Sequence, residues 1–176
     1  MIQTERLILR ALEPADVHAL YRWENDVENW LVSHTTKPFS QASLEQFILN
    51  ITDIYSDKQL RLMISLNDDD STIGAIDLFE CDFTHLRAGV GILIGEKESR
   101  GMGYGKEALD GLATYAREVL FLQQLYADVL ANNVAAQRLF DAAGYEQTGI
   151  RKNWIRTSGG WQDLILMTKK LHGEKE

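Results

Sequence analysis

Apolar residues recur along the chain in two rhythms, period two and period three-to-four, and their succession marks out the elements. Residues 5–12 alternate, with Leu7, Leu9 and Ala11 on one face, and predict a first strand. Pro14 stands where a first helical residue belongs and Asp16 in the first turn, opening a helix carried by Val17, Leu20, Tyr21 and Glu24. Residues 25–39, with Trp30, Leu31 and Pro38, read as loop. Ser40 or Ser43 caps a second helix, along which Leu44, Phe47, Ile48, Ile51 and Tyr55 recur at helical spacing. Residues 60–66 and 72–80 form a strand pair about the turn Asn67–Ser71, and after a further turn at 81–86, residues 88–95 make a fourth strand. A third helix presents Ala108, Leu112, Tyr115, Ala116 and Val119 on one face, and residues 124–130 give a fifth strand. The fourth helix starts at Asn132-Asn133, turns Ala136, Leu139, Phe140 and Ala143 inward and stops at Gly144. Residues 146–156 and 161–169 close the chain as a hairpin about Ser158-Gly159-Gly160.

With no repeat, linker or low-complexity stretch, residues 1–176 read as a single domain. The order β-α-α-β-β-β-α-β-α-β-β contains one parallel crossover, strand four to strand five, in an otherwise antiparallel arrangement. It predicts an α+β fold whose mixed, mostly antiparallel sheet has about seven strands and four helices.

The candidate chemistry sits between strand four and the third helix, in Gly95-Glu96-Lys97-Glu98-Ser99-Arg100-Gly101-Met102-Gly103-Tyr104-Gly105-Lys106. Glycines at alternate positions leave backbone N–H groups uncovered, and the helix start adds partial positive charge; together they suit a phosphate or pyrophosphate. A nucleotide-triphosphate loop needs Ser or Thr after Gly-Lys, and Gly105-Lys106 is followed by Glu107. Gly103-x-Gly105-x-x-Ala108 with Asp128 further on matches a dinucleotide fingerprint. Such a domain needs further βα units, whereas here one helix and a hairpin remain, and Asp128 lies inside its strand.

The third reading, Arg100-x-x-Gly103-x-Gly105, resembles the R/Q-x-x-G-x-G/A pyrophosphate loop of the GNAT N-acetyltransferase superfamily. The segment from Asn133 to Tyr145 is similar to that family's N-x-x-A-x-x-x-[YF]-x-x-x-G-[FY] block. The opening Glu5-Arg6-Leu7-Ile8-Leu9-Arg10 and the late Gly159-Gly160-Trp161-Gln162-Asp163 resemble the branch holding ribosomal-protein N-terminal acetyltransferases and spermidine N-acetyltransferases. The resemblance spans nearly the whole chain. It implies acetyl-CoA as co-substrate and a direct attack of an amine on the thioester, through a tetrahedral intermediate. Backbone groups of Ile92, Leu93 and Ile94 would meet the pantetheine arm, and Arg100, Gly101, Met102, Gly103, Tyr104, Gly105 and Lys106 would hold the pyrophosphate. Asn133 would reach the pantetheine, or serve only as a helix cap, and Ala136 to Phe140 would line the thiol end. Arg138 reads as a solvated residue of the same helix or as a phosphate ligand.

Two positions depart from the family pattern. Phe140 stands where many members place a tyrosine acid, and Gly89 where many place a glutamate base. Asp77, Glu80, Tyr104 and Tyr145 are the groups left to move protons, the first three being the catalytic candidates. Water is the alternative carrier, and a CoA-binding regulatory module without catalysis is the alternative function. Strand alternation places Asp77 and Glu80 on opposite faces, so one of them at most faces substrate. Trp30, Trp154 and Trp161 are aromatic walls for an acceptor pocket or simply core.

Composition narrows the partners. A net charge of −8 argues against nucleic acid; it serves solubility or, as a second reading, steers a cationic substrate. No apolar run reaches membrane-spanning length, and the charged opening Met1–Arg6 has no signal-peptide core, so the expected location is the cytoplasm. The single cysteine, Cys81, reads as a buried inert thiol. His18, His34, His85 and His172 have no metal spacing, and no metal is expected. The expected partner is a small-molecule amine such as a polyamine, or a protein N-terminus; a homodimer is compatible with the sequence.

Overall fold

The computed structural model describes residues 1–33 and 35–172, so the expectation for His34 lies outside the described residues. Eight strands form one sheet: β1 (Ile2–Gln3), β2 (Leu7–Ala11), β3 (Leu60–Leu66), β4 (Thr72–Asp82), β5 (Arg87–Ile94), β6 (Gln124–Leu130), β7 (Glu146–Thr157) and β8 (Gly160–Lys170). Their order across the sheet is β1-β2-β3-β4-β5-β6-β8-β7, antiparallel throughout except for β5 and β6. The helices are α1 (Val17–Glu24), α2 (Val27–Ser33), α3 (Gln41–Leu49), α4 (Ile54–Asp57), α5 (Tyr104–Glu118) and α6 (Val134–Ala142).

Two apolar layers sandwich the sheet. On one face Leu109, Leu112 and Ala116 of α5 and Phe140 of α6 pack onto Leu9, Ile64, Ile76, Leu78, Val90 and Ala127. The other face carries a smaller core, in which Val17, Leu20 and Trp23 of α1 and Leu44 and Ile48 of α3 cover Met63 and Ala75. Trp23 lies so close over Gly95 that a Cβ there would overlap its indole, and its Nε1–H donates to Glu96 Oε1 at 3.1 Å. This contact fixes α1 against the end of β5, where the glycine-rich loop begins.

The fold class agrees with the sequence reading, with differences of local cause. The sheet has eight strands rather than about seven, because Ile2–Gln3 pairs with Ile8–Leu9 as an added edge. Residues 25–39 are not all loop. Helix α2 forms there, entered through the Asp26 carboxylate, which accepts from the Glu28 N–H at 3.0 Å. Ser40 does cap α3, its hydroxyl accepting from the Ser43 N–H at 3.1 Å. The apolar stripe does not continue, however: α3 stops at Leu49, a fresh cap at Asp53 starts the one-turn α4, and Ile51 and Tyr55 are exposed. Val119 likewise falls outside the buried face of α5. Cys81 is buried as expected, and desolvation pushes its thiol up to about 11.

Candidate active site

Strands β5 and β6 diverge. Their parallel pairing covers only Arg87–Gly89 with Gln124–Tyr126, after which Val90–Ile94 and Ala127–Leu130 have no ladder between them. Each strand stays paired on its outer side, β5 to β4 and β6 to β8, so the wedge is held rigidly open. Extended strands direct alternate N–H and C=O groups to either side, and those of Val90–Ile94 that face β6 are available to a ligand. Ile92 and Ile94 lean on the larger core and Leu93 on the smaller, as befits residues of which only the backbone was implicated.

The glycine loop closes the wide end of the wedge. Gly101 (φ 76°) and Gly103 (φ 84°) adopt left-handed conformations that glycine takes without strain, and Gly103 caps α5 with no side chain. Tyr104, Gly105 and Lys106 therefore start the helix with N–H groups lacking intrahelical acceptors. Gly105 is pressed close to Leu139 and Ile92, whose methyls lie 3.2 and 3.9 Å from where a Cβ would stand, so α5 reaches α6 and β5 at this one small residue. The Arg100 Nε–H donates to the Ile94 carbonyl at 2.9 Å, aligning its guanidinium with the loop; among the described residues its two Nη groups have no partner. Lys106 pairs with Asp110 at 2.6 Å, and Met102 is exposed at the rim. Asn133 caps α6, its Oδ1 accepting from the Ala136 N–H at 3.1 Å, while among the described residues its Nδ2 has no partner. Ala136 is half-buried and Arg138 exposed.

The cradle of uncovered N–H groups, the Arg100 cation and the unpaired strand edge suit a diphosphate joined to an extended amide-bearing arm, which is the shape of CoA. Among the described residues no cluster of three or more His, Cys, Asp or Glu could hold a metal ion.

On the face of the sheet toward α1, the proton-carrying candidates separate. Asp77 is engaged by Arg61, with Nε to Oδ1 at 2.6 Å and Nη2 to Oδ2 at 3.2 Å, while Arg61 Nη1 holds Glu24 at 2.9 Å. Burial opposes the Arg61 charge, but the two carboxylates outweigh it and hold its pKa above the ordinary value. Tyr104 is stacked under the Arg6 guanidinium, 4.6 Å from its ring centroid, at the phosphate loop rather than toward the acceptor side. Glu80 faces the same side as Asp77, contrary to simple alternation. The β4–β5 register slips between Phe79 and Asp82, Glu80 takes φ 48°, and Cys81 turns into the opposite core. Across β5, the Glu80 carboxylate accepts the Tyr126 hydroxyl at 2.6 Å. Desolvation first, and then this hydrogen bond, raise the Tyr126 pKa, so the phenol keeps its proton and donates it.

Phe79 accounts for the missing glutamate at Gly89. Its ring lies over Gly89, where any Cβ would overlap it, and meets Tyr126 edge-on at 6.0 Å between centroids. The register aligns Phe79 with Gly89 and Gly89 with Tyr126, in one row at the apex of the wedge. Phe140 is buried and stacks edge-on against Tyr145, with centroids 5.0 Å apart. Among the described residues the buried Tyr145 hydroxyl has no hydrogen-bond partner, and burial raises its pKa. Trp30 lines a cleft of about 730 Å³ with Val27, Thr36, Ile155 and Arg156, between α2 and the β7–β8 hairpin, whereas Trp154 and Trp161 are exposed on the hairpin surface. Sequence spacing missed Tyr126, Arg61 and the role of Arg6. Their partners lie 46, 16 and 101 residues away in the chain, and only the sheet register and the docking of α5 bring them together.

A family model described as an acetyltransferase (GNAT) domain matches residues 6–146. The uncharacterized N-acetyltransferase p20 of Bacillus licheniformis is 26% identical over 169 residues, 95% of this chain and 94% of that protein. The uncharacterized N-acetyltransferase YoaA of Bacillus subtilis is 26% identical over 162 residues, 90% of each chain. Among solved structures, spermidine N-acetyltransferase from Vibrio cholerae in complex with CoA and spermine superimposes with a TM-score of 0.86 at 23% identity, covering 96% of this chain and 97% of that one. A dodecameric structure of spermidine N-acetyltransferase from the same organism gives 0.77 at 22% identity, covering 96% and 95%. The family match, extending from β2 into β7 and taking in both the glycine loop and α6, shows that the chain belongs to the GNAT family of N-acetyltransferases.

Proposed function

We propose that the protein transfers the acetyl group of acetyl-CoA to a primary amine of a polyamine-like cation, with Glu80 as the group that takes the proton. Acetyl-CoA supplies an activated acyl carbon as a thioester. The glycine loop holds its diphosphate and the wedge orients its arm, and orientation of this kind contributes ~7–11 kcal/mol to such transfers. The amine attacks in its neutral form; as the C–N bond forms and the C–S bond breaks, the proton shed by the attacking nitrogen passes to Glu80, and the departing thiolate takes a proton from water, its pKa being roughly 8.5 by analogy with cysteine.

The observation that carries this reading is the Glu80–Tyr126 pair at the wedge apex, a carboxylate with a hydroxyl partner and, among the described residues, no ion pair. Asp77, by contrast, is committed to Arg61. Charge on this face supports a cationic acceptor: the carboxylates of Glu24, Asp77, Asp82, Glu80 and Asp128 lie among the guanidinium groups of Arg61, Arg87 and Arg151. The solved relative that holds CoA and spermine supports the same acceptor class.

The test is thiol release from acetyl-CoA with spermidine, spermine and a short peptide bearing a free N-terminus as separate acceptors. Release with the polyamines is expected, and Glu80→Gln should lower kcat about 10²–10⁴-fold. Release with the peptide alone would replace the polyamine by a protein N-terminus. A Glu80→Gln enzyme of undiminished kcat would remove Glu80 from the chemistry. CoA binding without turnover of any of the three would favour the regulatory module.

A further inference from the structure

We infer that Arg6 is a positioning residue of the phosphate loop, and that it acts by closing off the charge of Glu107. The inference rests on the reading above, in which this loop holds the diphosphate of acetyl-CoA. Glu107 lies in the first turn of α5, on the helix whose free N–H groups would meet the anion. A carboxylate there suits the helix dipole but repels a second anion at the same helix end.

The carboxylate is occupied on both oxygens. Its Oε1 accepts from the Thr4 hydroxyl at 2.7 Å and from the Arg6 N–H at 2.6 Å, and its Oε2 from the Arg6 Nε–H at 2.7 Å. The same guanidinium holds the loop itself. Nη1 donates to the Met102 carbonyl at 3.1 Å, Nη2 lies 3.3 Å from where a Cβ on Gly103 would stand, and the plane covers the Tyr104 ring. Burial works against ionisation of Glu107; the Thr4 and Arg6 hydrogen bonds and the Arg6 charge outweigh it, so the carboxyl stays below its ordinary range. Arg6 thus keeps Glu107 ionised for the fold and electrically quiet for the ligand. One residue of the first β-hairpin thereby tunes a site formed some hundred positions later.

Calorimetric titration with CoA of the wild type, Arg6→Gln, Glu107→Gln and the double variant tests this. Arg6→Gln should weaken CoA binding about tenfold, the effect of one uncompensated like charge at partly screened range. Glu107→Gln should bind no more weakly than wild type, and the double variant should recover to within about twofold of it. In turnover, Arg6→Gln should raise KM for acetyl-CoA and spare kcat. Arg6→Lys, which keeps the charge and loses the fork, should stay within about threefold of wild type and carries the test if Arg6→Gln does not fold. A double variant as weak as Arg6→Gln, or an Arg6→Gln protein that binds as wild type does, would overturn the inference. A wild type that binds no CoA would sink the reading of the loop itself, which is a different result.

Discussion

At the scale of single residues, glycines set what the sheet allows. Gly74 and Gly91 lie in neighbouring strands, yet their surroundings differ. A Cβ on Gly74 would overlap the Leu93 carbonyl oxygen, a backbone atom held in the β4–β5 ladder. A Cβ on Gly91 would make ordinary contacts of 3.8 Å with Phe79 and 3.9 Å with Asp77. Gly74→Ala is therefore expected to cost about 2–3 kcal/mol, as overpacking does. Gly91→Ala should be neutral or stabilising by about 0.4–1 kcal/mol through the unfolded chain; urea denaturation of the two variants checks both values. Residue identity was a good guide where structure is local: the alternating glycines announced the left-handed turn that opens α5, and Asn133 the cap of α6. It failed at Glu80, because the register slip that turns this carboxylate toward Tyr126 has no signature in a Leu-Phe-Glu-Cys stretch.

At the scale of elements, the Arg6–Glu107 pair ties the first hairpin to α5 and carries a pH signature. Glu107 has its folded pKa below the ordinary 4.5, so its contribution to stability is complete above that value and is lost as pH falls through the lower folded value. The melting temperature of wild type should exceed that of Glu107→Gln at neutral pH. The gap should persist down to about pH 5 and shrink steadily below about pH 4. Thermal melts of both proteins from neutral to acid pH measure it, and a gap that widened on acidification would contradict the pair. Strands and the long helix α5 were legible from periodicity because they bury one face against a core. Helix α2 was not, since its seven residues, Val27–Ser33, carry too short a pattern to stand out. Helix α3 was read too long for the opposite reason: the stripe continues past Asn50 in sequence, while the Asp53 cap begins a new turn in space.

For the molecule as a whole, an overall charge of −8 and the acidic face toward α1 act together. Diffusing cations are drawn to that face, and added salt screens the attraction. KM for a polyamine should rise about threefold or more between low and physiological ionic strength, with kcat nearly constant. Steady-state kinetics across a salt series decides this, and a flat KM would mean that recognition is local and not steered. The order of the main strands and of α1, α3, α5 and α6 was legible, as was the place of the single parallel crossover, while the short β1, α2 and α4 were not. The proposed acceptor side was not, because α1, α2 and the last hairpin come together there and no local pattern encodes their mutual placement.

The three-residue junction between β5 and β6 has a mechanical consequence. It divides the sheet into a panel of five strands and a panel of three, stitched at one end only and bridged by α5. Amide protons along Val90–Ile94 on the unstitched side lack the protection of a closed ladder and should exchange with solvent deuterium far sooner than those of the β3–β4 pair. Under tension the molecule should tear along this seam first. The opening that admits a ligand is then also the line along which the fold is weakest, and whatever fills it acts as the missing stitch.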